Sequence, residues 1–140
     1  MCGGGHAVAP GKGGFAELYK LRDGLNEMKK DVAAFIVDCI RELANRLLAK
    51  TVPRTPVDMG ELRRGWTIGE VVVTSAGAEI EVFNPVYYSP YVEYGHRTPN
   101  HKGWVEGRFM MTISIEELER ELPAILEKKM SRFIEKYLGR

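Results

Sequence analysis

Two histidines, His96 and His101, stand five residues apart with Glu93 and Glu106 close by in the chain. Imidazole and carboxylate both bind zinc, so this is the first place to look for chemistry. The spacing speaks against a metal: Pro99 lies between the histidines, no cysteine is near, and the run matches none of the familiar ligand patterns. Histidines hydrogen-bonded to backbone or to a neighbour are the better reading. Acid–base catalysis needs paired carboxylates in a pocket, and only Glu79, Glu81 and Glu93 stand away from helix surfaces. Glu79 and Glu81 alternate outward along a strand. No nucleophile elbow is present, and no glycine-rich loop leads from a strand into a helix. Cys2 and Cys39 suggest neither a disulfide framework nor a knuckle, which fits a reducing compartment. No catalytic residue, cofactor site or metal site is therefore expected.

The elements that would position these residues can be read from periodicity. At 140 residues and 44% hydrophobic content, the chain has the size of one domain with a real core. Residues 1–14 hold six of the fifteen glycines and little to bury, so they are expected to form a flexible arm, either a cloning remnant or a segment that orders on assembly. The single folded domain is then 15–140. Leu18, Leu21, Leu25, Met28, Val32, Phe35, Cys39, Leu43 and Leu47 recur every three or four residues, the mark of one buried helical stripe. Gly24 is expected to kink or split that helix, and Pro53 with Pro56 to end it. Asp58 and Glu61 have capping-box spacing before a short helix over 59–64 that contains Gly60.

The runs 67–74 and 78–84 are β-branched or alternate apolar with acidic, predicting an antiparallel hairpin with Ile80 and Val82 inward. Pro90 can open a short helix and Gly95 close it. The last third, from Phe109 to Leu138, is helical again, with Pro123 expected to kink it or start a second helix. The fold class is α+β, a long N-terminal helix and C-terminal helices packed on a small antiparallel sheet. No apolar run is long enough to span a membrane, and no signal peptide is evident, so synthesis in the cytoplasm is expected.

Charge and aromatic residues are unevenly placed. Net charge is only +1, which disfavours a dedicated nucleic-acid binder. From Thr67 to Tyr94 there are four glutamates and no lysine or arginine, whereas 95–108 carries Arg97, Lys102 and Arg108 against Glu106. In identical subunits such a surface can pair head to tail and close into a ring. Tyr87, Tyr88, Tyr91 and Tyr94 are four of the six tyrosines, too many to point inward from one short helix. Trp104 stands in similarly polar company.

The runs TPVDMGELRRGW (55–66), NPVYYSPYVEYGHRT (84–98) and GWVEGRFMM (103–111), in that order after a long helix, resemble the HK97 gp10-like tail-component family of tailed bacteriophages. Met59 replaces a usual threonine, and Glu106 a common proline. The resemblance implies a structural virion protein made in the host bacterial cytoplasm, without turnover or cofactor. It implies a head-tail joining or tail completion subunit that forms a ring, six-fold in the virion and in some relatives monomeric when isolated. Its partners would be other copies, connector or stopper proteins and the tail tube, with DNA passing through the ring. On this reading Tyr91, Glu93, Tyr94, His96, Arg97, Trp104, Arg108 and Phe109 form the contact surface, while Asp58, Gly60, Gly95, Gly103 and Gly107 shape caps and turns. The alternative is a nucleic-acid-binding accessory module using Arg63, Arg64 and the basic 95–108 loop, which strongly salt-dependent DNA binding would reveal.

Overall fold

A computed structural model describes residues 14–139, so residues 1–13 of the expected arm lie outside the described chain, and Gly14 is already helical. Helix α1 (Gly14–Arg54) is followed by the short α2 (Gly60–Gly65) and four brief strands: β1 (Thr67–Ile68), β2 (Val72–Thr74), β3 (Gly77–Glu79) and β4 (Val82–Phe83). Then come α3 (Ser89–Tyr94), β5 (Gly95–Arg97), β6 (Trp104–Glu106) and the closing helix α4 (Met110–Leu138). The chain is α+β, as its periodicity predicts. The described chain divides into two compact units: the first combines residues 14–35 with residues 127–139, and the second is Ile36–Leu126.

In the first unit the start of α1 meets the end of α4. Gly24 does not split α1, which runs unbroken through it. Its role is close approach: a Cβ there would lie 2.4 Å from the Tyr137 carbonyl oxygen and 3.0 Å from a Leu138 methyl. Phe35 stacks on Phe133 with ring centres 4.2 Å apart, Phe133 meets Tyr137 edge-on at 5.0 Å, and the Tyr137 hydroxyl donates to Asp31. A helix pair covers only the stripes that face each other. Accordingly Leu18, Leu21, Leu25 and Val32, all on the predicted stripe, stay exposed.

The second unit carries the sheet and most of the core. Its α1 portion ends at Arg54, with Pro53 accommodated in the last turn. The predicted hairpin forms as two antiparallel ladders, Thr67 opposite Phe83 and Ile68 opposite Val82, then Val72 opposite Glu79 through Thr74 opposite Gly77. Gly69 donates to the Glu81 carbonyl at 2.8 Å, so Glu70 and Val71 together oppose the single Ile80, which is a β-bulge. Ile80 and Val82 face an apolar groove of about 310 Å³ lined also by Leu43 and Leu47 of α1 and Met111 and Ile115 of α4. Helix α4 is continuous across Pro123, where a kink or break is expected from sequence.

At the centre of this unit, small polar side chains take stripe positions. Thr51, Thr55 and Ser114 are essentially inaccessible, beside Leu62 and Met110. Each hydroxyl folds back onto the carbonyl four residues earlier: Thr51 to Leu47 O, Thr55, just past the end of α1, to Thr51 O, and Ser114 to Met110 O. Such back-bonding satisfies the hydroxyl without enlarging it, so small residues can occupy a close helix contact. Among the described residues every buried side-chain polar atom has a hydrogen-bond partner.

Candidate assembly surface

The three sequence runs that carry the resemblance interlock. Trp66 donates its indole N–H to the Thr55 hydroxyl at 2.8 Å, so the two ends of the first run close on each other. Asn84, which opens the second run, donates to the Leu62 carbonyl at 2.7 Å and accepts from the Val86 amide at 3.1 Å. A Cβ on Gly65 would come within 2.5 Å of the Asn84 amide oxygen, so that contact needs the glycine. The N-cap of α2 is Met59 rather than Asp58, and no side chain caps it, because the chain enters through a turn closed by Met59 N donating to Pro56 O. Asp58 is exposed. Gly60 opens α2 with only the movable Arg64 guanidinium beside it.

Glu93 joins the second run to the third. It is 5% exposed, and its carboxylate accepts from the backbone N–H of Met111 at 3.0 Å, the N–H of Thr112 at 2.9 Å and the Thr112 hydroxyl at 2.7 Å. Met110 begins α4, so these are the free donors of a helix N-terminus, and a carboxylate there meets the positive end of the helix dipole. Phe109, immediately before α4, sits at φ 49° and donates its N–H to the Glu93 carbonyl at 3.0 Å. Gly95 ends α3 at φ 93°, and Gly107 lies so close to α3 that a Cβ would fall 2.4 Å from Glu93 O. These two glycines serve close backbone contact as much as turning.

On this support stands a hairpin where the sequence suggests an irregular loop. β5 and β6 pair antiparallel, with Gly95 opposite Glu106, His96 opposite Val105 and Arg97 opposite Trp104. The connecting turn is held by Thr98, whose hydroxyl donates to Asn100 Oδ1 at 2.6 Å and accepts from the Gly103 amide at 3.0 Å. The left-handed turn residue is His101, at φ 59°, rather than Gly103. Around the hairpin, Tyr91, Tyr94 and Trp104 are 55%, 63% and 56% exposed, and Tyr87 is 84% exposed. Phe109 lies edge-on to Tyr94 at 6.4 Å, and His96 edge-on to Tyr91 at 6.2 Å, with its Nδ1 3.4 Å from Tyr91 O. His101 is exposed, and no cluster of three or more metal-ligand side chains occurs among the described residues. Tyr91, Tyr94, His96, Arg97, Trp104, Arg108 and Phe109 thus lie on or beside the β5–β6 hairpin, with Arg97 and Trp104 paired on one face of the ladder and His96 and Val105 on the other, while Glu93 is buried.

The charges divide in the same way. Arg97, Lys102 and Arg108 are exposed and enter no ion pair among the described residues. With Glu93 buried, the acidic segment presents three glutamates, Glu70, Glu79 and Glu81, rather than four. Elsewhere in the unit charge is used internally. Lys50 bonds Glu121 at 2.7 Å and Glu117 at 3.3 Å, and Arg54 reaches Glu117 and, at 3.0 Å, the Ser114 hydroxyl. The Lys50 hydrogen bond holds the Glu117 carboxyl below the usual carboxylate range, and Glu121 above all raises the Lys50 amine. The clasp has only a faint local signal in the sequence: Lys50 and Arg54 lie one helical turn apart on α1, and Glu117 and Glu121 one turn apart on α4.

A match to known protein families covers residues 19–95, most of α1 through the end of α3, and its description is "Bacteriophage HK97-gp10, putative tail-component". The chain belongs to the HK97-gp10-like family. Membership makes it a virion-associated bacteriophage tail component, of a kind that is generally not enzymatic. No curated protein and no solved structure matches the chain significantly. The family match contains both interlocked runs up to Gly95, whereas the exposed hairpin residues from His96 onward lie beyond it.

Proposed function

We propose that this tail component is a head-tail joining or tail completion subunit, that it acts as one member of a six-fold ring, and that the β5–β6 hairpin with its flanking aromatics is its grip on a virion neighbour. The carrying observation is the cluster of Tyr91, Tyr94 and Trp104, each more than half exposed, on a support fixed by the buried Glu93. Tyrosine and tryptophan combine large contact area with little rotamer entropy, so on a preorganised hairpin they are suited to binding a surface. The neighbours on this reading are further copies, connector or stopper proteins and the tail tube.

The test is a phage carrying Tyr91→Ala with Trp104→Ala. Both side chains are solvated in the subunit, so circular dichroism should be unchanged. Losing two central anchors should reduce the joining of tails to filled heads by about tenfold or more, counted by electron microscopy of lysates. A normal yield of joined, infectious particles would remove this role from the hairpin.

A further inference from the structure

The β2–β3 hairpin has an open edge. β2 pairs only with β3, in a two-stranded sheet. Thr74 and Gly77 close the hairpin across the turn of Ser75 and Ala76, and Val72 opposes Glu79, so these two pairs exchange the hydrogen bonds of the ladder. Val73, opposite Ala78, falls between them. Its N–H and C=O therefore point away from β3, and neither meets a partner elsewhere among the described residues. Val72 and Val73 are 53% and 62% exposed on opposite faces of the strand, and Thr74, Ser75 and Ala76 are exposed as well. From Val71 to Ala78 the chain has neither a charged residue nor a proline.

Folded chains ordinarily blunt such an edge with lysine, proline or an inward charge, because an open β-branched edge accepts a further strand. Here the β-bulge at Glu70 and Val71 guards only the base of the hairpin, and the residues beyond it carry none of these devices. A two-stranded ribbon is also the least stable form of sheet, so a third strand both adds backbone hydrogen bonds and covers the valines. The geometry points to a strand-addition site: the outer edge of β2 receives an extended segment of a different virion protein, hydrogen-bonded to Val73, uncharged and β-branched along the strand and basic where it passes the hairpin base. Charge sets that last feature. Glu70 precedes the strand, Glu79 lies across from Val72, and no lysine or arginine occurs from Thr67 to Tyr94, so the base is acidic and the tip neutral. Arg41 of α1 lines the same hollow as Glu70 but forms no ion pair with it. The same charges disfavour a second copy as occupant. In parallel register it would set Glu70 beside Glu70, and in antiparallel register it would offer only the neutral Ser75 and Ala76 to these carboxylates. The edge is separate from the β5–β6 hairpin, so the inference goes beyond the grip proposed above and does not depend on it.

Val73 allows a test on the backbone alone. Because β3 does not use its N–H, Val73→Pro removes the outward donor while leaving the β2–β3 ladder intact, whereas Val73→Thr keeps both the donor and the β-branched shape. Both full-length variants should match the parent in circular dichroism and urea midpoint. In phage carrying them, Val73→Pro should lower the yield of infectious particles by about tenfold or more and Val73→Thr should leave it unchanged. A normal yield from Val73→Pro overturns the inference. Hydrogen exchange on the unaltered chain gives a second measure that no folding defect can confuse. The Val73 amide should exchange freely in the isolated subunit and slow by about a hundredfold or more in purified virions. Equal rates in the two states overturn the site, and slowing already seen in the isolated subunit between about 10 μM and about 1 mM assigns the edge to a second copy and overturns the partner named. The partner itself is read by placing photoreactive benzoylphenylalanine in place of Ser75 and irradiating purified virions. The cross-linked product should contain a peptide of another virion protein, and a product containing this chain alone overturns that choice.

Discussion

Glu93 shows how much one side chain contributes to this surface. Placed among tyrosines in sequence, it reads as one more exposed contact residue, but its carboxylate faces inward and terminates α4. Replacing it with alanine leaves the Met111 and Thr112 amides without their acceptor, a loss of about 2 kcal/mol from the ranges for helix caps and buried donors. Glu93→Gln keeps an acceptor and loses the charge, so about half that is expected. Urea denaturation of the three proteins should rank them parent, Gln, Ala, and an alanine variant as stable as the parent would remove the cap. Nothing local in the sequence reveals this role, because residue 93 and residues 111–112 meet only after two strands have intervened. Trp66 with Thr55, and Asn84 with Leu62, are illegible for the same reason: each residue type is visible, but its partner is not.

At the scale of elements, α1 and α4 are the parts most legible in advance. Their apolar residues recur at helical spacing, and that spacing is a local property of the chain. What periodicity does not supply is how closely two helices approach. Gly24 and Pro123, local breakers on paper, both lie within continuous helices, the first because its missing side chain admits the end of α4. In the second unit, the Lys50, Arg54, Glu117 and Glu121 clasp ties these helices and makes the element contact depend on pH. Glu117 has its pKa lowered by folding, so its stabilisation is present above the ordinary value of 4.5 and is lost as pH falls through the lower folded value. Lys50 has its pKa raised, so its contribution is present below 10.5 and is lost as pH rises past that point. Urea midpoints measured from about pH 3 to about pH 7 should fall on the acid side, and Glu117→Gln should flatten part of that fall while lowering the neutral plateau. An unchanged acid slope in Glu117→Gln would show that other carboxylates set it.

For the whole molecule, the division into two units has consequences for local stability. The second unit has a polar core at Thr51, Thr55 and Ser114, a capped α4 and three antiparallel ladders, whereas the first is a helix pair with Leu18, Leu21, Leu25 and Val32 exposed. Segments with few buried contacts open at lower free energy. Native-state hydrogen exchange should therefore protect amides in 36–54 and 110–126 more strongly than those in 16–35 and 127–138. Equal protection throughout would show that the chain opens as one cooperative body.

By itself the sequence determined the α+β class, both long helices, the acidic hairpin, the short helix ended by Gly95 and, through three separated runs, the family. Each of these follows from neighbours along the chain, whether as period, turn chemistry or motif. Tertiary structure alone decided that Glu93 is buried as the cap of α4, that Gly24 serves close packing, that residues 95–106 form a hairpin, and that a β-bulge sets Glu70 and Val71 against the single Ile80. The reason is that burial and hydrogen-bond partnership depend on atoms far apart in sequence, which no local pattern of residue types specifies.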